Sequence, residues 1–575
     1  MAFLFSSGCL VCDDFPHKMI SKRVLFNLLI LLLLILVNLL FFWPLFKNIS
    51  SLIIDDYDGL MITWSLNRVV QNIPNFPKLM EGNIFYPFKY SHAYSDAFIT
   101  DGLVALPFVK LFREPVTGFN INLVISQVLV LYFTFLFLSI LCQNWILSFL
   151  LSLVFGFSQI RVHYLGHLQM FSLYWIPLAG FALMKFAKSS KFIYLFLFFI
   201  AFLCQTLNSF LPGYFVIFLF LSLFLGDLKI RKAVGNNLIY FLIGCFVTGI
   251  ILFPIIRIYL TVSKTFSYVR PIQDVIHFSL SPEEIFTKFF SPTLILLFVT
   301  SLILYFTSEE SIRSPRRWYS LTFLGVAVGS FIMALGPALH FFGKTLKIGS
   351  LPIPLPYAFF YYLIPGFKGF RTPSRWIFMF GLGAICFIAI ATEKFLKKKS
   401  KSIKILIYLL ISVSLITFTK ITKTYFKVPT ENQYSEIYSW LEKQPGQIII
   451  ELPIYYWGDP KLGKREVYRM LFSLKHQKKM VNGYSGFSPP EWEKLVIYLR
   501  NSFPSKESIL KIKGLKVDYL VIHEDEFKDL WPKDFQEKIS SLKESDILKE
   551  EYRKGKDVVY TLLKNTHPKD GDELR

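Results

Sequence analysis

The chain has 575 residues, of which 53% are hydrophobic and only 18% charged, with 62 phenylalanines. Together with a mean hydropathy of +0.47, this excludes a water-soluble globular protein and points to many membrane crossings. The formal charge of +22 is uneven: from Tyr425 onward 26 Lys/Arg stand against 24 Asp/Glu, leaving 36 against 16 in the residues before it. Those basic residues lie between apolar runs, so they read as topogenic charge rather than a nucleic-acid surface.

In chain order, Cys9 and Cys12 form a C-x-x-C with no second pair to complete a zinc site. Cys142, Cys204, Cys245 and Cys386 lie in apolar runs and read as packing residues. Val24 to Pro44 carries no charge and is long enough to cross a bilayer, which takes ~20 apolar residues. It lacks a small-residue cleavage site, so it is expected to be a retained span rather than a signal peptide, with Met19 an alternative start. Further apolar runs fall at 119–141, 145–160, 169–187, 191–207, 209–226, 237–260, 289–307, 318–337, 376–396 and 404–422, making about 11 spans. Lys18/Lys22/Arg23, Lys185/Lys188/Lys191, Lys229/Arg231/Lys232, Arg313/Arg316/Arg317 and Lys394 to Lys404 occupy alternate connections. The positive-inside rule makes that side cytoplasmic. The opposite side then receives residues 45–118, Arg161 to Gln169, 261–288, 338–375 and everything after 424.

From about 425 the pattern changes. Helical stretches (Tyr434 to Lys443, Pro490 to Leu499, Lys506 to Ile512) alternate with short apolar strands (Gln447 to Leu452, Lys479 to Val481, Val517 to His523, Val558 to Leu563), as in a small α/β domain. The expected architecture is a mostly α polytopic membrane protein with a small C-terminal extracytoplasmic α/β domain. Its parts are a cytoplasmic tail at 1–23, a transmembrane portion at 24–424 and the soluble domain at 425–575.

Three groups of polar residues could carry chemistry. Asp55, Asp56 and Asp58 follow the first span, where carboxylates are costly without a role. Any of them could deprotonate a hydroxyl, as could Asp96. Asp96 and Asp101 could instead join them around a divalent metal such as Mg or Mn. His163, His167 and Gln169 form a second group, with the histidines on one face if the segment is helical. Tyr164 stands where a zincin needs its glutamate, so a metalloprotease is excluded. Arg371 and Arg375 form the third. The guanidinium fork suits a lipid-linked phosphate, and Arg270 could join them.

Taken together the chain resembles the GT-C superfamily of membrane glycosyltransferases. The likeness rests on the topology and acidic first external loop, on Asp58 with Trp64, on Asn83-x-Phe85-Tyr86-Pro87 and on Tyr94-Ser95-Asp96. His163, His167 and Gln169, Gly369 to Arg375, Glu451-Leu452-Pro453 and Asn482 to Gly486 extend it. The resemblance implies a multi-pass cell-envelope enzyme with an extracytoplasmic site, a base at Asp58 or Asp55/Asp56 and a polyprenyl-phosphate sugar donor. No D-x-D follows the second span, which leaves metal dependence open, as are the acceptor and the oligomeric state. Membrane lipids, but no nucleic acid, are the other expected partners. The alternatives are a non-enzymatic lipid or polysaccharide transporter and a structural membrane protein. The spans carry little charge, which favours a site at the surface over a path at the midplane.

Reporter fusions test the expected topology. Fusions at Lys464 and Lys554 should report an extracytoplasmic location, and one at Lys401 a cytoplasmic one.

Overall fold

The computed structural model describes residues 17–289, 291–307, 317–397, 399–418, 424–456, 458–459 and 462–563. The Cys9/Cys12 pair and Arg313/Arg316 lie outside the described residues. Apolar runs become helices wherever they are long enough to bury a backbone that lipid cannot hydrogen-bond. Six helical segments among the described residues are long and apolar enough to cross a membrane: Val24–Phe41, Pro115–Leu141, Leu168–Ser189, Leu238–Thr265, Arg317–Ala334 and Pro373–Lys397. A seventh arises if the pair Phe210–Gly226 and Leu228–Asn236, bent by 103°, counts as one. Trp145–Gly156, Phe192–Asn208 and Pro292–Thr307 are apolar but shorter. The fold is thus mostly helical and polytopic, with six or seven full-length spans among the described residues.

The helices used below are α1 (His17–Phe41), α2 (Asp58–Asn72), α3 (Ile99–Phe112), α4 (Pro115–Leu141), α5 (Phe192–Asn208), α6 (Phe210–Gly226), α7 (Leu238–Thr265), α8 (Arg317–Ala334) and α9 (Ile377–Lys397). The last is the central one: 94% of its span is buried, against 17% for the peripheral α7. It reaches α8 through Gly383, where an added Cβ would stand 2.6 Å from the Ala327 backbone nitrogen. Any side chain there would force the two helices apart.

The segment 45–118 is not a plain loop. It holds α2, an amphipathic helix, and α3, which is apolar but only 14 residues long. Strand β1 (Leu52–Ile53), just before α2, pairs antiparallel with β6 (Phe426–Lys427), tying this segment to the start of the C-terminal domain.

That domain is a five-stranded sheet of order β10-β11-β9-β7-β8. Its strands are β7 (Ile448–Leu452), β8 (Lys479–Met480), β9 (Tyr519–His523), β10 (Leu548–Lys554) and β11 (Asp557–Leu562). β7 runs parallel to β8 and β9, whereas β11 is antiparallel to both of its neighbours. β10 (LKEEYRK) escapes the sequence pattern because it is a charged edge strand. Helix α10 (Lys464–His476) is likewise unexpected. The membrane portion docks on the opposite edge. Phe85 N–H donates to Asn482 O (2.9 Å), Tyr86 N–H to Met480 O (2.8 Å) and Met480 N–H to Asn83 O (2.7 Å). Asn83 also accepts from the Trp64 indole (3.0 Å) and donates to Ser473 (3.1 Å).

The domain encloses a buried ionic cluster. His523 is held between Glu451 (3.0 Å) and Asp557 (2.8 Å), and Arg469 between Glu466 (2.7 Å) and Glu526 (2.6 Å). Burial alone would lower the His523 pKa from 6.5, but hydrogen bonds to Asp557 and Glu451 outweigh it and raise the value to about 9. A raised folded-state pKa gives stability that is complete below the unfolded value and lost as pH rises through about 9. The thermal stability of the full chain in detergent should therefore fall between about pH 7 and about pH 10. His523→Gln should flatten that dependence.

Candidate active site

The N-terminus of α2 places the aspartates, and it separates their roles. Asp55 Oδ1 accepts the backbone N–H groups of Tyr57 (2.8 Å) and Gly59 (3.3 Å), satisfying donors that a helix start leaves unpaired. Gly166 sits against it: an added Cβ would lie 2.5 Å from Asp55 Oδ2. Asp56 turns the other way and forms an ion pair with Lys464 on α10. Asp58, in the first turn, keeps its side chain about one-third exposed. His167 Nε2 lies 3.5 Å from its Oδ2. Tyr484 donates to its Oδ1 at 3.4 Å, and the Tyr484 ring packs on Tyr57 with centroids 4.8 Å apart.

Asp96 is the second carboxylate. It is fixed by the break between α5 and α6, where the Ser209 hydroxyl donates to Asp96 Oδ1 at 2.6 Å. Tyr259 of α7 donates to the neighbouring Ser95 carbonyl at 2.6 Å. Burial pushes the Asp96 pKa up, opposed by the Arg375 charge, the Ser209 hydrogen bond and His167. Burial also lowers the His167 pKa, with Asp58 pulling it back up and Arg375 pushing it further down. His167 is thus close enough to Asp58, Asp96 and Arg375 for their charges to interact.

The arginines line one side. Arg375 leaves Nε buried without a hydrogen-bond partner, as does Arg270. Arg371 is exposed and stacks on Phe278, its guanidinium carbon 4.5 Å from the ring centre. Arg270 stacks on Tyr268 at 4.9 Å and donates to the Gly486 carbonyl. The Tyr268 hydroxyl feels Arg270, Arg371 and Asp96 together, so the arginine side and the carboxylate side adjoin.

Three residues expected here lie elsewhere. His163 and His167 do not share a helix face, because the segment breaks into two single turns, Gln159–Val162 and Leu168–Phe171. His163 instead packs on Phe289, centroids 5.0 Å apart. Asp101 has no exposure and sits behind the site in α3, its backbone N–H capped by Asn208 at 2.8 Å. Gln169 is buried among the helices. Among the described residues no three His, Cys, Asp or Glu side chains converge to hold a metal ion. The grouping of Asp96 and Asp101 with Asp55 to Asp58 around a divalent metal therefore does not fit this donor set. Ser209 and Lys464 were not legible as site residues, since a lone serine in an apolar run and a lone lysine on a helix carry no pattern.

Comparison with solved structures finds proteins of similar fold. A mycobacterial arabinofuranosyltransferase, AftD, superposes with a TM-score of 0.59 over 93% of this chain at 12% identity. The chain spans only 40% of that protein's length. An oligosaccharyltransferase from Archaeoglobus fulgidus, solved with zinc and sulfate, matches 87% of this chain and 68% of its own at TM-score 0.46 and 11% identity. ArnT from Cupriavidus metallidurans matches 94% and 98% at TM-score 0.39 and 11% identity. No protein-family model matches the sequence, and no curated protein is significantly similar to it.

The separation of the aspartates can be tested outside activity. Asp55→Ala should cost about 1 kcal/mol through the lost cap and lower the melting temperature. Asp56→Asn should leave the membrane portion intact but speed hydrogen exchange across Lys464–His476.

Proposed function

We propose that this chain is a membrane glycosyltransferase that moves a sugar from a polyprenyl-phosphate donor to an acceptor hydroxyl at the extracytoplasmic face. The observation that carries this reading is that two carboxylates, Asp58 and Asp96, and Arg375 gather around His167, with Arg375 and Arg270 each keeping a buried N–H group without a partner. The membrane helices beside that row are suited to a polyprenyl tail.

Transfer with inversion asks for two things at once. The acceptor O–H must lose its proton as its oxygen attacks the anomeric carbon, and the departing lipid phosphate must have its charge met. Asp58 is the base in this reading, because it is the accessible carboxylate and neither caps the helix nor pairs with a lysine. Tyr484 and His167 hold it in place. Arg375, Arg371 and Arg270 receive the phosphate, since a planar fork can bind two phosphate oxygens. Asp96 keeps Arg375 oriented from the other side.

Asp58→Asn should lower transfer by ~10²–10⁴-fold while the protein still inserts and folds. Full activity in Asp58→Asn, Asp55→Asn and Asp56→Asn alike would remove the base from this loop. For the arginines the measurement is affinity for a polyprenyl-phosphate sugar in nanodiscs. Arg371→Lys should weaken it and Arg371→Ala weaken it further, because an ammonium cannot reproduce the fork. Equal affinity across such variants at Arg371 and Arg375 would remove the phosphate site.

A further inference from the structure

Between α8 and α9 the chain builds a structure that no membrane crossing requires. Strands β2 (His340–Phe341) and β3 (Lys344–Thr345) form one hairpin, and β4 (Lys347–Ile348) and β5 (Leu351–Pro352) form another. The hairpins are cross-linked at their bases: Leu346 N–H donates to Leu339 O, Leu339 N–H to Ile353 O and Ile353 N–H to Leu346 O. The first hairpin is held at its turn by Phe342 N–H to Glu283 (2.7 Å) and at its base by His340 Nε2 to the Ser279 carbonyl (3.1 Å). A short helix, α11 (Pro356–Leu363), follows.

The hairpins nevertheless present apolar side chains outward. Phe342, Ile348 and Leu351 are 70%, 75% and 72% exposed, and Phe359, Tyr362 and Leu363 on α11 are 60%, 59% and 61% exposed. Isolated exposed apolar residues need no explanation, but a contiguous set on a small ordered element marks an interaction surface. Two observations say what covers it. The segment is joined directly to the ends of two membrane helices, α8 and Pro373–Lys397, which keeps it near the bilayer surface. The segment's own charges are of one sign as well: residues 335–392 contain no Asp or Glu, while Lys344, Lys347, Lys368, Arg371 and Arg375 all fall within them, and the neighbouring Glu283 carboxylate is taken up by the Phe342 N–H. Apolar side chains interleaved with cations match the interface of an anionic leaflet.

We propose that the double hairpin and α11 form a membrane-docking surface, with Phe342, Ile348, Leu351 and the apolar face of α11 inserted at the headgroup–acyl boundary and Lys344 and Lys347 on anionic headgroups. The surface continues through Lys368, whose carbonyl accepts the Arg270 N–H at 2.9 Å, to Arg371. The docked segment therefore holds these cations at headgroup height. The proposal stands whether or not the site transfers sugar.

The experiment uses the full chain with its native cysteines replaced and one introduced cysteine, Phe342→Cys, Ile348→Cys or Leu351→Cys, carrying an environment-sensitive fluorophore. The labelled proteins go into nanodiscs of phosphatidylcholine with phosphatidylglycerol, some of it bearing a headgroup nitroxide. Emission should be blue-shifted and quenched by the nitroxide lipid, as expected for insertion of about 5–10 Å. A label at Lys549→Cys, on β10, should stay water-like and unquenched. Water-like emission at all three hairpin positions would overturn the proposal. So would blue-shifted emission that ignores the nitroxide, which would mean that a second copy or another protein covers the face. Lys344→Glu with Lys347→Glu should reduce quenching in discs with phosphatidylglycerol and not in pure phosphatidylcholine. Equal loss in both would overturn the headgroup contact.

Discussion

The candidate site depends on how the first turn of α2 is held. A helix start leaves backbone N–H groups unpaired, and Asp55 takes two of them. That bond fixes the direction in which the next carboxylates leave the chain. Asp56 is sent to Lys464 in the C-terminal domain, and Asp58, most of a helical turn on, is sent toward His167 and Tyr484. Gly166 allows the His167 segment to approach, since any Cβ there would collide with Asp55. One capped turn thus fixes three carboxylates with three separate duties.

A second constraint comes from the membrane side. The chain breaks at Asn208-Ser209 between α5 and α6, and both residues bond across to the segment leading into α3. Asn208 accepts from Phe98 N–H through its carbonyl (3.0 Å) and from Asp101 N–H through its side chain (2.8 Å), while Ser209 holds Asp96. An interrupted apolar helix frees polar groups at the end of the membrane portion, and here they position a carboxylate of the site. Arg375, at the start of the most buried span, supplies the opposing charge. Pieces nearly 300 residues apart in the chain, Asp96 and Arg375, are brought together because the helices that carry them pack into one bundle.

Long apolar runs made the bundle legible in the sequence, because length and absence of charge are sufficient signals for burial in lipid. The parallel strands β7 and β9 were legible for the related reason that strands buried on both faces read as unbroken apolar stretches. What escaped was amphipathic or short. α2 has a mixed face because it lies between the bundle and the soluble domain. β10 is charged because it is an edge. The aspartates, His167 and the arginines stood out as types, but their division of labour did not. Spacing cannot say that residues 159–171 break into separate turns and aim His163 at Phe289, or that Asp101 is fully buried in α3 while Asp96 meets Ser209 at the break between α5 and α6.

The C-terminal domain belongs to the same unit as the carboxylates. Its β8 edge is covered by backbone bonds from Asn83 to Tyr86, which satisfy an edge that would otherwise invite pairing with another chain. Pairing of this kind fixes register, since a slip of one residue would reverse which side chains face the core. The residues immediately after β8 are Asn482 to Phe487, and they run directly into the site: Tyr484 meets Asp58, and Gly486 meets Arg270. The register of a short β8 contact therefore sets the position of a hydroxyl against the carboxylate on one side and of a carbonyl against the arginine on the other. A domain that merely recruited a partner would need no such coupling. Here the bonds that dock the domain also complete the walls of the site, so docking and site geometry cannot change independently.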